Sequence, residues 1–324
     1  MYEKNIKEEL YKYFPPEIKK AFTLIDDVLI NSAEEIRFRI NAPLVIYTND
    51  RRVFLTKHGK LVYEPETAIK CLSEDIYDIY SSFTKHSAMV FSNQLKNAFL
   101  TIEGGYRIGI SGTGIMHGSS IVGFKDISGI NIRIPREVLG VSNKLLPFIL
   151  NKGHVLNTLI ISMPQMGKTT LIRDVARNLS GDKYCKKVCI VDERMEIAAV
   201  NEGIPGYNVG LYTDIINGIS KGQGIQMAIR ALSPDVVITD ELGDAADTAA
   251  ISECINCGVS FVTTAHAASI KQLTSRQNFK KMIEKKFFSR YALLGDSLGR
   301  ATLEQVLDED LNQLNCGAIA LNGG

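Results

Sequence analysis

The chain has 324 residues, 45% of them hydrophobic and 23% charged, so it has the profile of a folded globular protein with room for two domains. Lys plus Arg number 37 against 36 Asp plus Glu; with no global field, attraction to nucleic acid or anionic lipid needs a local patch, and none of nucleic-acid type is expected. No run approaches the roughly 18 apolar residues that span a bilayer, and the charged first residues lack the apolar core of a signal peptide, which points to a cytoplasmic protein.

Two amphipathic helical stretches open the chain, separated by Pro15-Pro16. Ile36, Phe38 and Ile40 then alternate with Arg37 and Arg39, the period of a strand with one buried face. Asn49-Asp50 reads as a turn between strands at 44–47 and 53–56. Ile69, Leu72, Ile76, Ile79, Tyr80 and Phe83 have the spacing of one longer helix. From 99 to 134 the chain is rich in Gly, Ser and β-branched residues: Ile108 and Ile110 oppose Arg107, and Ile130, Ile132 and Ile134 oppose Asn131 and Arg133. Antiparallel strands with Gly-rich turns follow from that alternation. The fragment 109–114 contains a G-x-G (Gly112-Thr113-Gly114), but it lies among strands and lacks the context of a dinucleotide site.

After residue 145 the texture changes to apolar runs separated by helical stretches. The runs at 158–161, 187–191, 236–239 and 260–263 are nearly continuous, as expected of central parallel strands covered on both faces. The expected architecture is therefore a smaller α+β domain at 1–145 followed by a doubly wound α/β domain at 146–324. Cys254 and Cys257 form a lone C-x-x-C within a helical stretch at 247–258, without a second pair or a nearby His. They read as two small core residues rather than zinc ligands.

Residues 162–169, Ser-Met-Pro-Gln-Met-Gly-Lys-Thr, follow a strand and open a helix. A loop so placed aims backbone N–H groups at phosphate oxygens. Lys168 is expected to reach the β- and γ-phosphates of ATP and Thr169 to ligate Mg2+, with Pro164, Gln165, Met166, Gly167 and Thr170 completing the cradle. Ser162 stands where the usual pattern has Gly, a departure that bears on loop geometry. The run at 236–241 ends in Asp240 and Glu241 at the C-terminal end of a strand, where open α/β sheets bind ligands. Asp240 suits Mg2+, through water; Glu241 suits Mg2+ or the attacking water. Asp192 and Glu193 end another strand, and spacing does not choose between them as general base. His266 ends a third strand on the same sheet edge.

This order of motifs resembles the secretion ATPases, the hexameric motors of type II and type IV secretion and pilus systems. Residues 35–39, 104–112, 131–140 and 191–194 resemble, more narrowly, the stage III sporulation protein AA family of endospore-forming bacteria. The resemblance implies a RecA-like P-loop NTPase domain and an ATPase that powers assembly or transport through the channel between mother cell and forespore. It implies a hexameric homo-oligomer, peripheral to the membrane on its mother-cell side, with a membrane-anchored partner such as stage III sporulation protein AB. Residue by residue, Lys168 and Thr169 match the Walker A pair, Glu241 the Walker B glutamate, Asp192 and Glu193 the aspartate box, and His266 the histidine box. Arg230 matches an arginine shortly before the Walker B strand. Arg107 and Arg133 lie where the family's N-terminal domain sends arginines toward nucleotide, in the same chain or a neighbour.

The stretch 276–290 holds six basic residues and one acid, with Phe279, Met282, Ile283, Phe287 and Phe288 on roughly one face. It reads as a solvated helix with a buried face, or as a docking surface for a membrane partner or adjacent subunit. Two other functions compete with a motor. A nucleic-acid translocase is disfavoured by the neutral balance, and a non-hydrolysing ATP switch is kept open by Ser162.

Overall fold

The computed structural model describes residues 5–48, 51–85, 95, 98–243, 245–299, 301–315 and 317–321. The Asn49-Asp50 turn lies outside them, as does Cys316. By contacts the chain forms two compact units: Met1–Arg136 with Val200–Gly206, and Glu137–Ala199 with Tyr207–Gly324. The sequence texture changes after residue 145, yet the contacts divide the chain after Arg136. Asp174 accounts for the difference: its carboxylate accepts the backbone N–H of Gly140 (3.1 Å) and of Ser142 (2.8 Å), and the Ser142 hydroxyl (2.8 Å), which ties this stretch to the second unit.

In the first unit, short helices α1 (Ile6–Leu10), α2 (Pro16–Thr23) and α3 (Asp27–Asn31) precede the sheet. Pro16 suits the first turn of α2, where its missing N–H has no partner to lose. Asp26 caps α3 by accepting the N–H of Val28 (2.9 Å). Strands β1 (Ala33–Arg39), β2 (Val45–Thr48), β3 (Arg52–Leu55) and β4 (Leu61–Val62) are followed by helix α4 (Ser73–Phe83), then β5 (Phe99–Thr101), β6 (Arg107–His117) and β7 (Ser120–Arg133). The sheet order is β4-β3-β2-β1-β7-β6-β5.

The predicted alternation appears as rows across three strands: Ile36 faces Ile132, which faces Ile108, and Phe38 faces Ile130, which faces Ile110. All six are buried. The opposite face carries the row Glu35, Arg133, Arg107. Helix α4 begins later than the periodicity from Ile69 suggests. Ile69 instead exchanges strand-like bonds, donating to Leu55 O and accepting from Leu44 N (both 2.8 Å), and Asp75 caps the helix by accepting the Leu72 N–H at 2.7 Å.

The second unit starts with α5 (Leu146–Ile149) and the two-stranded β8 (Leu150–Asn151) and β9 (His154–Val155). Its main sheet uses β10 (Thr158–Ser162), then, after helix α6 (Lys168–Ser180), β11 (Val188–Asp192) and β12 (Thr213–Asn217). Helix α7 (Lys221–Leu232) leads to β13 (Val236–Glu241), and α8 (Ala245–Asn256) to β14 (Ser260–His266). Helices α9 (Ile270–Thr274) and α10 (Gln277–Glu284) precede β15 (Arg290–Gly295), β16 (Thr302–Leu307) and β17 (Ile319–Ala320). The order is β12-β11-β13-β14-β10-β15-β16-β17, parallel as far as β15 and antiparallel beyond it.

Every residue of β10 and β11 is buried, which explains why those runs carry no alternation. Gly224 of α7 lets the helix lie against β11: a Cβ there would stand 2.5 Å from Val191 Cγ1. Two expectations are corrected. Cys254 is buried, but Cys257 lies past the end of α8 and is exposed. The stretch 276–290 is not one helix. Phe279 and Met282 of α10 and Phe288 beyond it enter the core, and Phe288 packs edge-on against Phe261 with centroids 5.4 Å apart. Among the described residues no helix is long and apolar enough to cross a membrane.

Candidate nucleotide site

Strand β10 ends at Ser162, the chain turns through Gln165 (φ 64) and Gly167 (φ 80), and Lys168 opens α6. Gly167 occupies left-handed backbone that L side chains resist, and an added Cβ would lie 3.1 Å from Ala301 Cβ. Ser162 carries no such demand, because it is the last residue of a strand and extended. Its departure from the usual glycine is therefore accommodated without strain. The first amides of α6 lack intrahelical acceptors and, with the helix dipole, favour an anion here.

The lysine is held from several sides. Lys168 is 7% exposed, and its Nζ shares its three N–H donors among Ser162 O (3.1 Å), Ser162 Oγ (3.0 Å), Met163 O (3.0 Å) and a ring nitrogen. It also lies 2.8 Å from His266 Nδ1, while His266 Nε2 lies 3.2 Å from Glu241 Oε2. With Nδ1 accepting from the ammonium, the ring proton sits on Nε2, the nitrogen nearest the Glu241 carboxylate. Burial pulls the Lys168 pKa down to about 8, with Glu241 pulling the other way. So β10, α6, β13 and β14 converge on one line of polar contacts, Lys168–His266–Glu241.

The cavity above this line has a volume of about 510 Å³. Pro164, Gln165, Gly167, Lys168, Thr169 and Thr170 form its floor; Asp240, Glu241, Thr264 and His266 come from the strand ends, and Arg194 and Glu196 from the loop after β11. Thr169, Asp240 and Glu241 suit Mg2+, which takes a hydroxyl and one or two carboxylates alongside phosphate oxygens and water. Asp240 is 8% exposed; burial pushes its pKa up to about 6, against the pull of Lys221.

Lys221, which motif reasoning missed, is 7% exposed at the start of α7, with Nζ 3.1 Å from Glu193 Oε2 and 3.4 Å from Asp240 Oδ1. Burial opposes its charge, but the two carboxylates outweigh that and its pKa is raised. A lysine in the first turn of a helix opposes the dipole. That misfit is the sequence signal that an acidic partner waits nearby.

The acidic box divides its labour. Asp192 is fully buried and accepts the N–H groups of Glu196 (2.9 Å), Ile197 (3.0 Å) and Ala198 (2.9 Å). From the other side Arg173 donates to Ile197 O (2.5 Å) and Glu196 O (2.7 Å). Asp192 thus holds the loop and does not line the cavity, and Glu193 is turned to Lys221. Arg230 is elsewhere too, its side chain 73% exposed and 3.8 Å from Glu253. In the first unit Arg107 and Arg133 are cross-strand partners, and the Arg107 guanidinium lies 3.9 Å from the centre of the Phe99 ring.

A mostly parallel sheet with a phosphate-type loop and paired carboxylates at its C-terminal edge defines a P-loop NTPase fold of the RecA-like α/β class. Solved secretion ATPases share it. The X-ray structure of the ATPase DotB of Legionella pneumophila aligns over 88% of this chain and 80% of its own, with a TM-score of 0.52 at 15% identity. The pilus retraction motor PilT, crystallised with bound ADP, aligns over 86% and 76%, with a TM-score of 0.55 at 14% identity. Sequence places the chain more finely. Residues 4–314 match the family described as sporulation stage III, protein AA. The chain is also 37% identical over 310 residues to stage III sporulation protein AA of Bacillus subtilis (strain 168), covering 95% of this chain and 97% of that one. It belongs to the sporulation stage III protein AA family.

Proposed function

We propose that the protein binds and hydrolyses Mg-ATP as the motor of a secretion-like complex in sporulation, at the channel joining mother cell and forespore. The observation that carries the reading is the convergence of Lys168, Thr169, Asp240, Glu241 and His266 on one cavity at one sheet edge. Lys168 and the amides of α6 hold the terminal phosphates. Thr169 and Asp240 hold Mg2+, which when bound neutralises charge on the β- and γ-phosphates. Glu241 orients the attacking water and takes its proton; His266 fixes the carboxylate that does so. Asp192 and Glu193, already engaged by amides and by Lys221, leave Glu241 as the base. Arg107 and Arg133 supply further positive charge from the N-terminal unit of the same or an adjacent copy in a hexameric ring. Arg230, exposed beside Glu253 and outside the cavity lining, takes no part in the chemistry. The ring works on the cytoplasmic side of the mother-cell membrane, docked on a membrane-anchored partner such as stage III sporulation protein AB.

Phosphate release and oligomeric state, measured on the purified chain with ATP in the presence and absence of Mg2+, test this reading. Mg2+-dependent release from an oligomer is expected. Binding without release would leave a non-hydrolysing switch, and no heat or melting response to millimolar Mg-ATP would end the nucleotide reading altogether.

The lowered pKa of Lys168 adds a pH dependence. Phosphate oxygens favour the ammonium, so around pH 8 and above, where the empty site has lost half or more of that proton, binding takes one up. Affinity should be level well below pH 8 and fall as pH rises through 8. Calorimetry near pH ~9 in two buffers of different ionisation heat should register net proton uptake; none would show that Lys168 stays charged in the empty site.

A further inference from the structure

The loop following β11 is built to a tolerance its function as a simple connection does not require. Three of its amides are held by one buried carboxylate, Asp192, and two of its carbonyls by one buried guanidinium, Arg173. Arg173 is itself stacked, its Cζ 3.6 Å from the centre of the Tyr207 ring. Clamped on both sides, the loop fixes where its own side chains emerge. Glu193 goes to Lys221, and Arg194 goes to the wall of the nucleotide cavity.

Arg194 differs from the other arginines that are close by in the second unit. Arg173 and Arg177 are engaged by loop carbonyls and by Asp174, and Arg230 by Glu253. Arg194 is exposed and makes no hydrogen bond or ion pair among the described residues. Its charge reaches Asp240, whose carboxyl it helps to pull down. The cavity wall presents the carboxylates of Glu196, Asp240 and Glu241 against the cations of Lys168 and Arg194. A triphosphate adds more negative charge to a wall already rich in it. Lys168 lies in the floor of the cavity, whereas Arg194 adds a second cation on its wall, with a planar set of N–H groups suited to phosphate oxygens.

We propose that Arg194 is a catalytic residue of this site, contacting the terminal phosphate of bound ATP from within the same chain. The proposal rests on the nucleotide reading above. It assigns to the loop after β11 the task of presenting one cation where charge gathers during phosphoryl transfer, with Asp192 and Arg173 as its supports.

Arg194→Ala and Arg194→Lys, with ADP and ATP affinities measured by calorimetry in Mg2+ and single-turnover hydrolysis alongside, provide the test. ATP binding should weaken about 10- to 100-fold in Arg194→Ala, the range of one charge-assisted hydrogen bond. ADP binding should stay within about twofold, and the melting temperature should hold, as for an exposed substitution. Single-turnover hydrolysis should fall by about 10³-fold, with Arg194→Lys in between. Equal losses for ADP and ATP, or no loss for either, would overturn the proposal. Failure of the unsubstituted protein to bind Mg-ATP would instead bring down the reading beneath it.

Discussion

Lys168→Ala should reduce single-turnover ATP hydrolysis by about 10²–10³-fold or more while leaving the protein folded. Two losses combine in this one change. The first is the ammonium itself, the group placed to stay against phosphate oxygens as charge develops on them. The second is indirect. Lys168 donates to His266 Nδ1 at 2.8 Å, and that donation fixes the tautomer whose Nε2–H meets Glu241 at 3.2 Å. Without the lysine the ring is released, and Glu241 loses its fixed partner. Stability should change little, because burial already disfavours the charge on Lys168 and Met163 O keeps a donor in Ser162 Oγ at 2.9 Å. Lys168→Arg should not rescue, since a planar fork does not fit a cradle shaped around a compact ammonium. Turnover at the unsubstituted rate by a folded Lys168→Ala protein would refute the assignment.

What could be read in the sequence follows from the range of each interaction. The loop at 162–169 was legible because strand, loop and helix are consecutive, and its chemistry is local. The four central strands were legible because full burial leaves runs without polar interruption, as in β10 and β11. The face carrying Arg107 and Arg133 was legible from alternation alone, and the register sets them side by side. Partnerships across elements were not. Lys221 reads as an ordinary solvated lysine until α7 is packed beside β13 and its ammonium meets Asp240 and Glu193. Strands β12, β15 and β16 are not legible in that way; the exposed and half-buried residues of β12 break the apolar pattern of a central strand. The grouping of Val200–Gly206 with the first unit depends on contacts far apart in sequence, and periodicity does not record those.

Asp192→Ala should lower the unfolding free energy by about 3 kcal/mol, the sum expected when two buried and one partly buried N–H groups lose their acceptor. The Ile197 and Ala198 amides have no water-facing alternative, since Asp192, Ile197 and Ala198 are all fully buried. Burial pushes the Asp192 carboxyl up, and the three amides pull it back toward the ionised form they require. Asp192→Asn should recover part of the loss, because its carbonyl oxygen still accepts while its amide nitrogen faces donors. This pattern separates two roles that the motif alone leaves together. If Asp192 were the general base, alanine would abolish hydrolysis and leave the denaturation midpoint near its original value. If Asp192 holds the loop, the midpoint falls first, and activity falls with it as Arg194 and Glu196 lose their fixed place on the cavity wall. Denaturant unfolding of the nucleotide-free protein reads the difference without reference to catalysis, and an unchanged midpoint would return Asp192 to the list of candidate bases beside Glu241.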